Sequence, residues 1–332
     1  MNILVTGGAG YIGSHTCVAL LEAGHTVIVA DNLCNSKAET LAKVKEITKQ
    51  EITFYHIDVT IESEVDAVFA NHRIDALMHF AGFKAVGESV EQPLNYYYNN
   101  LVSTMVLAKA CQKYDVRRFV FSSSATVYGE NEVPFIETMN LLSTTNPYGE
   151  TKAMSERILI DFAKANSGMA VGLLRYFNPV GAHESGLIGE APNGIPNNLM
   201  PYMTQVAKGK FEKLRVFGSD YPTIDGTGVR DYIHVVDLAE GHVAALDKLT
   251  SGVQIYNLGT GEGTSVLQMV KAFEQANSIR VPYEIVNRRP GDIAECYADA
   301  SKAEKELGWM AKRSIVDMCR DAWRFEKSYG EY

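Results

Sequence analysis

Short apolar runs alternate with helix-spaced apolar residues through the first half of the chain. Ile3-Leu4-Val5 leads into glycines, and residues 26–30 are β-branched and stop at Asp31. Residues 52–56, 76–80 and 119–121 repeat the strand-like theme. Between them, residues 12–22, 63–70 and 104–113 carry apolar positions at helical spacing. Strands that are apolar throughout and separated by helices predict βαβ units and a parallel sheet covered on both faces. The second half is less regular. Glycine and proline cluster over residues 178–201, which predicts a long loop. Helical patterns return at residues 236–248, 266–275 and 315–326. The pattern predicts an α/β fold: a Rossmann-type, doubly wound parallel sheet over residues 1–176, then a smaller C-terminal α/β substrate lobe over 177–332. Residues near 233–262 are expected to pack back on the first domain. Open sheets of this kind bind ligands beyond the carboxyl ends of their strands.

The length of 332 residues suggests about two domains. Hydrophobic residues make up 46% and charged ones 21%, which excludes a mainly disordered chain. The net charge is −9 and no basic run stands out, which argues against a nucleic-acid platform. An anionic ligand would therefore need its own local Arg or Lys. No apolar run approaches the ~18 residues of a membrane span, and the first residues lack a signal peptide's basic and apolar regions. The cysteines, Cys17, Cys34, Cys111, Cys296 and Cys319, are scattered and odd in number, without CxxC. Reduced thiols in the cytoplasm fit better than a disulfide framework. No HxH or HExxH spacing occurs, so no metal site is expected.

Strand 3–5 runs into Thr6-Gly7-Gly8-Ala9-Gly10-Tyr11-Ile12-Gly13. Gly7, Gly10 and Gly13 permit a tight turn, a close backbone approach to a pyrophosphate, and close helix–strand packing. The helix opening at Tyr11 and Ile12 would point free N–H groups and a positive dipole end at phosphates. Such a loop alone can be a plain strand–helix turn; the second strand ending in Asp31 changes that. An acid about 20 residues on suits a ribose diol and repels a 2′-phosphate, favouring NAD over NADP. Asp58 and Val59 follow the third strand, where they could flank an adenine. Asp58 could equally cap the next helix.

Tyr148 and Lys152 form a YxxxK pair entering a helix, where residues four apart share a face. A free Tyr titrates near ~10, so a value near 7 requires roughly 4 kcal/mol of preferential phenolate stabilisation. The Lys152 ammonium is one source and an oxidised nicotinamide another. Lys152 could also hold the nicotinamide ribose. The fifth strand ends in Ser122-Ser123-Ser124, and Ser124 could share a substrate oxygen with Tyr148. Ser122 and Ser123 could serve the site or simply satisfy the strand end. No GxSxG elbow accompanies these serines, which argues against a hydrolase.

These segments together resemble the extended short-chain dehydrogenase/reductase superfamily and, within it, the UDP-glucose (UDP-galactose) 4-epimerases, from Met1 to about Trp323. Further carrying segments are Asp31 to Ser36, His79 to Ser89, Asn146 to Lys152, Arg175 to Ala182, Pro196 to Pro201 and Asp225 to His234. The resemblance implies reversible 4-epimerisation of UDP-galactose and UDP-glucose by tightly held NAD, through a transient 4-keto sugar and enzyme-bound NADH. Tyr148, Ser124 and Lys152 would be catalytic. Asn32, Asn35, Ser36, Phe80, Ala81, Gly82, Lys84, Asn99, Ser122 and Phe177 would join the glycine loop, Asp31, Asp58 and Val59 around NAD. Lys84, Ser124, Tyr148, Asn178, Asn197, Asn198, Leu199, Phe217, Arg230, Arg289, Asp292 and Cys296 would meet the UDP-sugar. Arg230 and Arg289 suit a diphosphate, although Arg230 could instead pair locally with Asp231, and Asp292 could be a turn residue. Some relatives carry Tyr where this chain has Cys296. The smaller residue implies room for UDP-GlcNAc and UDP-GalNAc, unless neighbouring loops fill the space. The resemblance also implies a homodimer through the helices around 104–113 and 154–165. Alternatives are another nucleotide-sugar enzyme, such as a 4,6-dehydratase or a decarboxylase, or a non-catalytic NAD-sensing module. Ser124-Ala125-Thr126 lacks the carboxylates of a dehydratase.

Overall fold

The computed structural model describes residues 1–289 and 291–329; Pro290 and the last three residues of the expected second lobe lie outside the described residues. The first half runs β1 (Asn2–Thr6), α1 (Tyr11–Glu22), β2 (Thr26–Asp31), α2 (Glu39–Thr48), β3 (Thr53–His56), α3 (Glu62–Asn71), β4 (Ala76–His79), α4 (Val86–Glu91), α5 (Pro93–Lys113), β5 (Arg118–Ser124), α6 (Pro147–Ala165) and β6 (Ala170–Tyr176). The second half adds β7 (Asn178–Val180), α7 (Leu199–Ala207), β8 (Leu214–Phe217), β9 (Val229–His234), α8 (Val235–Lys248), β10 (Gly252–Leu258), β11 (Gly263–Ser265), α9 (Val266–Asn277), β12 (Tyr283–Val286), β13 (Glu295–Cys296), α10 (Ser301–Leu307) and α11 (Ile315–Ser328).

Seven parallel strands form the central sheet in the order β10-β6-β5-β4-β1-β2-β3. Strand side chains alternate between faces, and β1 shows both partners. Ile3 and Val5 pack with α1, α2 and α8, while Leu4 packs with α3, α5 and α6. All three are 1% exposed or less, a burial worth roughly 1.5–3 kcal/mol each. The architecture is thus a doubly wound, Rossmann-type sheet. The chain leaves β1 towards β2 on one side and towards β4 on the other. That reversal opens a crevice beyond the carboxyl ends of β1 and β4. β10 pairs with β6 at the sheet edge, and α8 packs on the same face as α1. A second core gathers Met200, Met203, Val216, Phe273, Met269 and Met318 from α7, β8, α9 and α11.

The structure corrects three local expectations. The helix expected at residues 104–113 begins at Pro93, with proline in its first turn. Its first half buries Tyr96, Asn100 and Ser103, so no apolar stripe marks it. The loop expected over 178–201 is strand at its start and helix at its end. Leu199 opens α7, and Pro201 fits the first turn, where a missing N–H costs nothing. Asp58 does not cap α3: its carboxylate instead accepts from Thr60 N at 2.9 Å and Thr60 Oγ1 at 2.7 Å.

Candidate active site

A continuous cleft of about 2290 Å³ runs from the glycine loop to the second core. A single-ligand pocket usually holds ~300–1,000 Å³, so the cleft has room for two ligands. Every residue singled out above for cofactor or substrate lines this cleft.

The glycine loop sits at the crevice between β1 and β4. A Cβ on Gly13 would lie 2.2 Å from Gly7 O, and one on Gly7 would lie 2.6 Å from Ala81 N. The backbone of Phe80 and Ala81 is therefore in contact with the loop, and only glycine allows α1 to start so close. Asp31 is 8% exposed. Its carboxylate accepts from Ala9 N at 3.0 Å, Leu33 N at 2.9 Å and Ser36 Oγ at 2.8 Å. Asn32 Nδ2 reaches Asp58 Oδ2 at 3.2 Å, and Val59 is buried beside them. Tyr11 ties the loop to the second lobe by donating to Gly181 O at 2.7 Å.

The YxxxK helix starts where it does because Asn146 caps it, accepting from Gly149 N at 2.9 Å, with Pro147 in the first turn. Tyr148 thus enters the first turn, and Lys152 lies one turn on. Ser124 ends β5 and caps the short 3-10 turn Ala125–Tyr128, accepting from Thr126 N at 3.2 Å. Its hydroxyl also stands beside the Tyr148 phenol. Burial pushes that phenol above its ordinary value, and the Ser124 hydroxyl opposes the rise. Lys152 does not hydrogen-bond the phenol directly. Its Nζ donates to Ser122 O at 2.7 Å and stands 6.0 Å from the Tyr148 ring centre. Burial pulls Lys152 itself down to about 8. The Ser122 hydroxyl meets the Tyr176 hydroxyl, while Ser123 donates to Glu156 Oε1 at 2.5 Å.

At the far end, Arg230 does not pair with Asp231. Asp231 is fully buried and accepts from Thr260 N, Gly261 N and Ala298 N, drawing those loops together. Asp292 instead lies 3.0 Å from Arg289 and 3.9 Å from Arg230, so both cations converge on one carboxylate. The Arg289 guanidinium stacks 4.7 Å from the Phe217 ring centre. Cys296 lies on β13 in register with Arg230, and burial pushes its thiol up to about 12. Asn178 opens β7 and Leu199 opens α7; Asn35, Asn197 and Gly82 line the same cleft. Phe80 packs 4.8 Å from the His242 ring, and Phe177 packs 6.2 Å from Phe135.

Three residues that the sequence reading did not single out organise this site. Glu190 takes Lys84 Nζ at 3.0 Å and Asn198 Nδ2 at 2.6 Å. Asn100 accepts from Asn99 Nδ2 at 2.9 Å and donates to Phe83 O and Thr151 Oγ1, joining the loop after β4 to α6. Glu156 grips Arg175 in a buried pair. The only sequence signals were an acid amid neutral glycine-rich neighbours for Glu190, and a position one turn beyond Lys152 for Glu156. Among the described residues, no His, Cys, Asp and Glu cluster could hold a metal ion, and no helix is long and apolar enough to cross a membrane.

The model of the NAD dependent epimerase/dehydratase family matches residues 3–259. A UDP-glucose 4-epimerase of Bacillus subtilis is 62% identical over 99% of this chain and 97% of its own length. One from Drosophila melanogaster is 56% identical over 98% and 96%. The solved structure of a UDP-glucose 4-epimerase from Bifidobacterium longum, in complex with NAD+ and UDP, superposes with a TM-score of 0.97 at 53% identity, covering 99% of both chains. The chain belongs to the NAD dependent epimerase/dehydratase family and, within it, to the UDP-glucose 4-epimerases.

Proposed function

We propose that the chain interconverts UDP-galactose and UDP-glucose at C4 with NAD as cofactor, using Tyr148, Ser124 and Lys152 at the reacting end of the cleft. The observation that carries this reading is the placement of the Ser124–Tyr148 pair and Lys152 in one cleft with the glycine loop at one end and the Arg230–Arg289 pair at the other.

The residues fit NAD. The Gly7–Gly13 loop leaves a cradle that any Cβ would fill, and α1 opens there with unpaired N–H groups. Asp31 supplies acceptor oxygens for a ribose diol, and its charge opposes a 2′-phosphate. When bound, NAD supplies a hydride acceptor for C4 and a positive ring. This chain's own residues handle the proton. Once ionised, with the ammonium of Lys152 nearby and the positive ring that bound NAD would supply, Tyr148 Oη would take it from the 4-hydroxyl and later return it, with Ser124 Oγ donating to the same oxygen as charge develops. Lys152, held by Ser122 O, keeps an ammonium near the ribose side. Arg230 and Arg289 take the diphosphate, with Asp292 holding both guanidinium groups in place until it arrives. Because the proton and the hydride both return, there is no net redox change.

Cys296 leaves the sugar end less filled than Tyr would, which supports turnover of the 2-N-acetylated UDP-sugars as well. Leu94, Tyr98 and Met105 are exposed on α5, which packs beside α6, and this supports a homodimer through those helices; light scattering at one chain mass would exclude it. Scattered free cysteines support a cytoplasmic enzyme. The deciding experiment adds UDP-galactose to purified protein without added cofactor, follows UDP-glucose, and identifies any nucleotide released on denaturation. Turnover with NAD released is the expected result. Bound NAD without turnover on any UDP-hexose would favour the sensing alternative and overturn the catalytic one.

A further inference from the structure

We infer that Glu156 is a positioning residue for this chemistry: its buried carboxylate faces Lys152 from one helical turn away and ties the end of β5 to α6. The inference rests on the function proposed above and extends it to a residue that touches neither ligand.

Glu156 follows Lys152 by four positions on α6, so the two share a face. Its side chain is 1% exposed and that of Arg175 3%. Both carboxylate oxygens are engaged: they accept from Ser123 Oγ at 2.5 Å, Arg175 Nε at 2.9 Å and Arg175 Nη2 at 2.6 Å. Ser123 sits between Ser122, whose carbonyl holds Lys152, and Ser124, whose hydroxyl meets Tyr148. One carboxylate therefore fixes the strand segment that presents both catalytic partners. Arg175 fares less well, for its Nη1 is buried without a partner and its guanidinium stacks 4.8 Å from the Tyr128 ring. Buried ion pairs are weak contributors to stability and can often be replaced by apolar side chains. A pair that satisfies the acid and leaves the base short points to a use for the acid.

That use is electrostatic. Lys152 is faced by Tyr148 and Glu156 of α6, the Phe121 ring and Ser122 carbonyl of β5, and His79 of β4, while Arg175 of β6 is held on the Glu156 carboxylate. Among these groups Glu156 is the only carboxylate. Burial favours the neutral amine and Glu156 opposes it, holding Lys152 at about 8. Without that charge the amine would deprotonate at lower pH, where the enzyme needs an ammonium.

The test is a titration of holoenzyme carrying 13Cε-labelled lysine, with the Lys152 signal assigned by its loss in Lys152→Arg. Glu156→Gln should move the Lys152 midpoint down by about one pH unit. The alkaline limb of kcat should move with it, cutting the ammonium fraction at pH 7.5 about threefold. Because Glu156→Gln strands the Arg175 charge and can fail to fold, Glu156→Gln/Arg175→Met removes both charges. This double variant should fold and keep the lowered midpoint. Ser123→Ala, which retains both charges, should lower kcat and leave the midpoint in place. A Lys152 midpoint unmoved in the double variant overturns the inference. A wild type that turns over no UDP-hexose would sink the functional reading instead, and the titration would still decide the role of Glu156.

Discussion

Acid should unfold this protein through three buried histidines well before its carboxylates titrate. His15, His79 and His242 are 2% exposed or less. Burial pulls the first two down to about 3 and the third to about 4, from an ordinary 6.5. His15 and His242 also bury an Nε2 without a partner, so neither ring has a second acceptor to welcome a proton. The sign follows from linkage. Each folded value lies below the unfolded one, so the unfolded chain binds more protons between them. The stability is fully present above 6.5 and is lost as pH falls towards 3 or 4. At pH 5 an unfolded histidine is about 97% protonated while the buried ring stays neutral, a cost of roughly 2 kcal/mol each. The sum of about 6 kcal/mol compares with a typical total stability of ~5–15 kcal/mol. Depressed acids such as Asp58 and Asp317 lose their contribution only near or below their ordinary 3.8. Asp231, pushed up by burial, works in the opposite sense and offsets part of the loss. The assay is urea unfolding followed by tryptophan fluorescence at pH 7.5 and 5.0, at one protein concentration. His242→Phe isolates one site, since a neutral ring can still pack between Phe80 and Tyr176. It should recover about 2 kcal/mol of the acid loss. An identical acid loss in wild type and His242→Phe would refute the reasoning.

Gly13→Ala should release the cofactor and lower Tm by a few degrees, because the added Cβ meets Gly7 O at 2.2 Å and overpacking costs ~1–3 kcal/mol. Gly87→Ala, a helical glycine with open space around it, should do neither; nucleotide content and thermal melts distinguish the two. Tyr148→Phe should keep bound NAD and lower kcat by ~10²–10⁴, the usual worth of a positioned acid–base group, read in the UDP-galactose assay. Cys296→Tyr should suppress turnover of UDP-GalNAc while sparing UDP-galactose, and an equal loss of both would show that Cys296 only packs.

What was legible in the sequence is what the chain encodes locally. Tyr148 and Lys152 are four residues apart, so the helix alone brings them to one face. The glycine loop is legible for the same reason, since strand, turn and helix start fall within about a dozen residues. The sheet was readable because the middles of β1, β2, β4 and β5 are buried on both faces and so form unbroken apolar runs. Helix α5 was half hidden because its first turns bury Tyr96 and Asn100, whose polar groups serve the neighbouring loop and α6, and Ser103, whose hydroxyl bonds back to Asn100 O. The position of Lys152 relative to Tyr148 was legible, yet the partner of its ammonium was not. The ammonium is drawn to Ser122 O, a partner supplied by a strand thirty residues earlier. The Lys84–Glu190 and Ser123–Glu156 contacts join residues 106 and 33 apart. Such pairs exist only because a parallel sheet sets every βα loop along one edge, bringing distant segments within bonding reach. Local spacing thus reveals the groups that react, whereas the topology supplies the groups that hold them, and Glu156 belongs to the second kind.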